Sequence, residues 1–116
     1  MKASELRIGN LIYYNGTNGP TYNINKIDGV DIATMEGDAK YLSFHEPIPL
    51  TEEWLLKFGF KKINHRIEGV IYRREWLQFS ETFLADWRGG HIGRIQYVHQ
   101  LQNLYFALTN TELIIK

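Results

Sequence analysis

Glu81, Asp86 and His91 are the residues of this 116-residue chain whose types and spacing come nearest to acid–base chemistry. Two carboxylates and an imidazole within one hairpin's length can meet across paired strands, one group accepting a proton while another donates it. Almost any short meander offers such a trio, however. No nucleophile elbow, carboxylate pair at a telling spacing or cofactor fingerprint accompanies it. No catalytic residue is assigned from the sequence, and no cofactor is expected. The four histidines, His45, His65, His91 and His99, fit no metal-ligand spacing: there is no H-x-x-x-H pair, and His45 and Glu46, adjacent on a strand, would point to opposite faces. With no cysteine, thiolate metal sites, disulfides and a cysteine nucleophile are excluded. No metal site is expected. His99 reads as a helix-surface residue or a hydrogen-bonded core histidine.

Binding chemistry has two candidate settings. In "DWRGGHIGR", Asp86 to Arg94, glycines expose backbone N–H groups while Arg88, His91 and Arg94 add positive charge, the ingredients of a phosphate cradle. Yet a phosphate loop opens a helix, and this one runs into a strand pattern, so a Gly-Gly hairpin turn is the simpler reading. Around it lies a basic and aromatic set: Lys61, Lys62, Arg66, Tyr72, Arg73, Arg74, Trp76, Trp87, Arg88 and Arg94. Single-stranded nucleic acid binds where bases stack on aromatic rings and cations follow the phosphates. Glu68, Glu75, Glu81 and Asp86 occupy the same region and leave it with seven basic against four acidic residues, a weak electrostatic footprint. Trp76 and Trp87 fit a core better than a surface. The binding candidates are therefore Arg73, Arg74, Trp87, Arg88, His91 and Arg94.

The whole chain balances 13 basic against 13 acidic residues. Up to Phe58 there are 5 Lys/Arg and 8 Asp/Glu, and after it 8 and 5, a polarity too mild to demand a polyanionic partner. A chain of this length can bury about 65% of its unfolded surface and needs no covalent staple. Sixteen aromatic residues can supply much of that core. No apolar run follows "MKASELR", and no stretch is long enough to span a bilayer. The expectation is a chain without a signal peptide, working in the cytoplasm. The sequon Asn15-Gly16-Thr17 then has no secretory context.

The elements that must position these side chains read as α+β. After a turn of helix at Ser4–Leu6 come an apolar run to Tyr13, the turn signal "NGTNGP", and "TYNINKIDG", in which Tyr22, Ile24 and Ile27 recur among polar residues. "VDIATME" and "KYLSF" complete four short strands, the pattern of an SH3-like half-barrel. Pro47 and Pro49 end the sheet. "TEEWLLKF", 51–58, then carries every mark of a short helix. Thr51 is its N-cap, Glu52 and Glu53 face the positive end of the dipole, and Leu50 and Leu55 stand at staple spacing. Gly59 and Phe60 fit a Schellman ending, with Trp54, Leu55 and Phe58 as the buried stripe. From Phe60 to Ile95 five short segments, "FKKINHRI", "GVIYRR", "EWLQFS", "TFLADW" and "HIGRIQYV", predict an antiparallel meander. Val98, Leu101, Leu104, Tyr105 and Leu108 predict an amphipathic helix at about 97–109, ended by Asn110, with "TELIIK" a closing strand or helical fragment. The parts form one domain, 1–116: a β-rich half to residue 50, a connector helix at 51–59, and the meander with its C-terminal helix at 60–116.

Three blocks, "LRIGNLIYYNG", "YLSFHEPIPLTEEWLLKFGF" and "YVHQLQNLYFALTNTEL", resemble an uncharacterised family of small proteins encoded by gut anaerobic bacteria and by their phages and integrated elements. They cover about half of the chain. The resemblance implies a phage-linked or mobile-element origin and a cytoplasmic setting, and carries no functional residue across. The reading that joins these observations is a non-enzymatic interaction protein whose strand edges or aromatic meander contact a protein partner or another copy of itself. A nucleic-acid-associated accessory protein is the alternative, and a small enzyme using His91 with Glu81 or Asp86 is the third.

Overall fold

A computed structural model describes residues 1–15, 23–67 and 69–115. The fold is α+β, with a three-stranded sheet in the order β2-β1-β3 and a five-stranded sheet in the order β4-β5-β6-β7-β8. The chain divides into two compact units, Met1–Pro49 with Tyr97–Leu104, and Leu50–Gln96 with Tyr105–Lys116. The turn "NGTNGP" beyond Asn15, the rest of the sequon, Tyr22 and Glu68 lie outside the described residues.

In the first unit a 3-10 turn at Ala3–Glu5 precedes β1 (Leu11–Tyr14) and β2 (Asn23–Lys26), which pair antiparallel from Leu11↔Lys26 to Tyr14↔Asn23. The next two segments correct the expected strands. Residues Gly29–Gly37 form helix α1 and Ala39–Ser43 form helix α2, so this sheet has three strands rather than the four of a half-barrel. The cause is local capping. Asp28 accepts a hydrogen bond from the Asp31 backbone N–H (2.8 Å) while Asp31 accepts one from the Asp28 N–H (3.0 Å), a reciprocal capping box that satisfies donors a helix start leaves orphaned. Asp38 caps α2 more simply, its side chain accepting from the backbone N–H groups of Lys40 and Tyr41. On α1 the apolar residues follow helical spacing: Met35 is buried and Ile32 packs against the same cluster, whereas Val30 is 75% exposed. Ile24 also departs from the expected pattern and is 52% exposed on β2. The third strand, β3 (His45–Glu46), pairs with β1, with His45 buried and Glu46 exposed, on opposite faces as the sequence predicts.

Helix α4 (Val98–Thr109) begins in this unit and buries Val98 and Leu101. Two of its polar residues do more than its apolar stripe implies. The buried Gln102 accepts from the Leu11 backbone N–H (2.8 Å) and donates to the Gly9 carbonyl (3.2 Å). Asn103 accepts from the Asn10 side-chain amide (2.8 Å) and donates to the Glu5 carbonyl (2.9 Å). These bonds give side-chain partners to the Leu11 N–H and to the Gly9 and Glu5 carbonyls.

The second unit opens with α3 (Glu52–Lys57), capped as its sequence predicts: the Thr51 hydroxyl accepts from the Trp54 N–H. Gly59 adopts φ 85°, and the bonds Phe60 N–H to Leu55 O and Gly59 N–H to Leu56 O, both 3.0 Å, complete a Schellman motif. Trp54, 7% exposed, is buried with Leu55 and Phe58. Strands β4 (Lys61–His65), β5 (Gly69–Arg74), β6 (Leu77–Ser80), β7 (Leu84–Trp87) and β8 (Gly90–Arg94) form the predicted meander, each antiparallel to the next. Tyr72, Phe79 and Ala85, opposite one another on adjacent strands, are buried, and the Phe60 ring meets Phe79 edge-on at 5.6 Å. Asn110, at φ 57°, ends α4, while 112–115 form neither the closing strand nor the helical fragment expected there.

Two stability outcomes follow. Gln102→Leu nearly keeps the volume but removes the partner of the Leu11 N–H and of the Gly9 carbonyl, both partly buried, and should lower the stability read from a urea titration by about 1–3 kcal/mol in all. Gly59→Ala forces a Cβ into the left-handed region and should cost about 1 kcal/mol in the same titration.

Candidate functional site

Hairpin register decides what the meander presents. Arg73, Gln78, Asp86 and His91 stand directly opposite one another on β5, β6, β7 and β8, with Lys61 opposite Arg73 on β4. Opposite residues of an antiparallel ladder project to one face, so this row is a polar stripe crossing all five strands. Two side-chain contacts order it. Gln78 Oε1 accepts from both Nε (3.3 Å) and Nη2 (2.9 Å) of Arg73, fixing the guanidinium plane, and His91 Nδ1 lies 3.3 Å from Asp86 Oδ1. The neighbouring row, Tyr72, Phe79 and Ala85, faces the other way into the core.

Two tight turns border the stripe. Arg74 pairs with Leu77 across the two-residue loop Glu75-Trp76, with Glu75 at φ 56°. Trp87 pairs with Gly90 across Arg88-Gly89, at φ 51° and 83°. Positive φ at both central residues marks a type I′ turn, whose twist matches that of paired strands. "DWRGGHIGR" is thus a hairpin turn followed by a strand, as the simpler sequence reading holds. The Arg88 backbone N–H donates to the Trp76 carbonyl (3.2 Å), joining the two turns. The Arg88 guanidinium lies 5.8 Å from the Trp76 ring and 5.6 Å from the Trp87 ring, within cation–π range of both. An open groove of about 790 Å³ runs beneath, lined by His65, Arg73, Glu75, Trp76, Gln78, Asp86, Arg88 and Gly89.

The candidate binding residues divide accordingly. Arg73 and Arg88 line the groove, and Trp87 supports Arg88. His91 touches the groove's Asp86, and Arg94 ends β8 opposite Leu84. Arg74 faces elsewhere: its guanidinium donates to the Phe58 carbonyl and lies 5.1 Å from the Tyr105 ring. Trp76 corrects the sequence reading, being 63% exposed rather than in the core. A tight two-residue loop leaves its second side chain outside the paired strands, whatever its hydrophobicity. Glu75 and Gln78 were not anticipated as lining residues; counting register back from Arg88-Gly89 and Glu75-Trp76 is the signal that finds Gln78.

Of the acid–base trio, Asp86 and His91 meet, whereas Glu81 sits in the turn at the other end of the sheet and accepts from the Val70 backbone N–H (3.0 Å). Among the described residues no group of three or more His, Cys, Asp and Glu side chains could hold a metal ion, and no helix is long and apolar enough to cross a membrane. The remaining histidines lie outside the groove apart from His65. His45 Nδ1 is 2.9 Å from the Tyr41 carbonyl oxygen, its ring between those of Tyr14 and Tyr41. His99 is buried beside Tyr97 with neither ring nitrogen hydrogen-bonded, so it is neither the helix-surface residue nor the hydrogen-bonded core histidine expected. Glu5 Oε2 stands 4.0 Å away. Comparison with protein-family models, with curated proteins and with solved structures gives no match.

Burial lowers the His99 pKa below its ordinary 6.5 against the opposing pull of Glu5. The unfolded chain therefore binds more protons than the folded one once the pH drops below 6.5, and stability falls from there towards the lowered folded-state value. Above that window both states hold a neutral ring and the term vanishes. Urea unfolding of the wild type and of His99→Gln should show a loss of stability as the pH falls below 6.5 that the variant flattens.

Proposed function

We propose that this chain is a non-enzymatic interaction protein whose meander groove receives a protein partner or a second copy of the chain. The observation that carries the reading is the pairing of an exposed Trp76 with Arg88 at two tight turns joined by a backbone hydrogen bond. Tryptophan and arginine dominate the energetics of protein interfaces, and a pre-ordered anchor loses little entropy on binding. Core-facing Tyr72 and Phe79 hold the sheet behind it. The three sequence blocks support an accessory role in a phage or mobile element, in the cytoplasm. The nucleic-acid alternative draws on the same arginines and indole, but Glu75 and Asp86 line the groove beside them, and a polyanion would meet both carboxylates.

Position 76 can report the occupant directly. Replacing Trp76 by the photo-crosslinking residue benzoylphenylalanine should trap a polypeptide on irradiation in cells, and light scattering of the purified chain tells a second copy from another partner. The same replacement at Val30, which is more exposed than Trp76 and lies in the other unit, should not. Equal yields from both positions, or trapping of nucleic acid alone, would remove this reading.

A further inference from the structure

The charges lining the groove are not neutralised in pairs. Its two carboxylates each meet a side chain from outside the arginines: Glu75 Oε1 accepts from the Tyr105 hydroxyl (3.2 Å), and Asp86 Oδ1 lies 3.3 Å from His91 Nδ1. Among the described residues its two guanidinium groups pair with no carboxylate. Arg73 donates two of its N–H groups to the neutral Gln78, which holds the fork in one plane and leaves Nη1 open. Arg88 makes no hydrogen bond or ion pair through its guanidinium among the described residues; only the faces of Trp76 and Trp87 hold it. A cation kept over indole rings has lost some of its hydration while keeping its donors, which favours a charge-assisted, forked contact with an incoming oxyanion. The exposed indole beside it is a flat apolar platform.

Taking the groove as the partner-binding surface, and so resting on the reading above, we propose that it grips a carboxylate side chain on an extended polypeptide segment. Arg88 and Arg73 hold the carboxylate, and an adjacent apolar side chain lies on Trp76. Charge complementarity selects this occupant over a nucleic-acid strand. One carboxylate flanked by uncharged residues meets the two cations and leaves Asp86 and Glu75 facing neutral groups, whereas successive phosphates would confront them.

The test uses N-acetylated, amidated Ala-Phe-Asp-Phe-Ala, its asparagine analogue, and octathymidylate, each titrated into the full chain and followed by amide, arginine Nε–H and indole N–H resonances. The aspartate peptide should move Arg73, Trp76, Gln78 and Arg88, with a dissociation constant of about 1 mM or below. The asparagine peptide should bind about tenfold more weakly, the loss of a hydrogen bond to a charged group. Arg88→Asn removes one of the two cations and leaves Asn-Gly, a favoured type I′ dipeptide; with the spectrum still dispersed, it should bind the aspartate peptide more weakly and narrow the difference between the two peptides. Equal binding of the two peptides to the wild type would overturn the carboxylate while leaving the groove as a peptide site. No shift in the groove with either peptide at about 5 mM would overturn both. Octathymidylate moving the same resonances more strongly than the aspartate peptide would overturn the proposal in favour of nucleic acid.

Discussion

Two consecutive left-handed residues, Arg88 and Gly89, close the hairpin between β7 and β8, and the geometry of the candidate site depends on that closure. A turn of this type fixes which residue on one strand faces which on the next, and a slip of one position would send every side chain to the opposite face. With the register fixed, Gln78, Asp86 and His91 fall into line with Arg73, while Tyr72, Phe79 and Ala85 turn inward. The irregularity between Ala85 and Asp86 is accommodated within this pair: two residues of β7 span three of β8, His91 to Gly93. Gly93, at φ 135°, accepts a conformation closed to residues with a Cβ.

The interaction reading and the energetics of the meander draw on the same residues. Burying Tyr72 and Phe79 together with Ile71, Leu77 and Ala85 stabilises a sheet of short strands, since each removes apolar area from water. The polar row adds little to that, because exposed pairs such as Asp86 with His91 are weak. Residues on that face are therefore free to serve recognition at small cost to folding. The edge at β4 is treated differently. Lys61 and Lys62 stand on it, and Lys62 reaches Glu52 of α3 at 2.8 Å. Charged lysines on an outer strand discourage pairing with a foreign chain, so the edge is shielded while the groove stays open.

The sequence was most legible where the instructions are local and agree with one another. Thr51, Gly59 and Phe60 mark the ends of α3, and the structure uses each of them as read. The five meander segments were legible for the same reason, being short, β-branched or aromatic, and separated by turn residues. Legibility failed where two local codes compete. Val30 and Ile32 alternate like a strand, but Asp28 and Asp31 cap one another, and the capping box prevails. It was visible as D-x-x-D before an apolar run. Trp76 was misplaced because composition alone puts indoles inside, whereas a two-residue loop puts this one out. Gln102 was beyond local reading altogether, since its partners Gly9 and Leu11 lie at the other end of the chain.

That last contact has a consequence for the order of events during synthesis. The backbone around Gly9 and Leu11 emerges from the ribosome early, yet the amide that completes its hydrogen bonding arrives more than ninety residues later, as separations of 93 and 91 show. Strands β1 and β2 and helices α1 and α2 can form in the meantime, but the stretch they enclose must stay hydrated until Gln102 is made. The first unit thus finishes folding only after the meander has been translated, and a ribosome stalled before α4 would expose an N-terminal half competent in secondary structure but not closed.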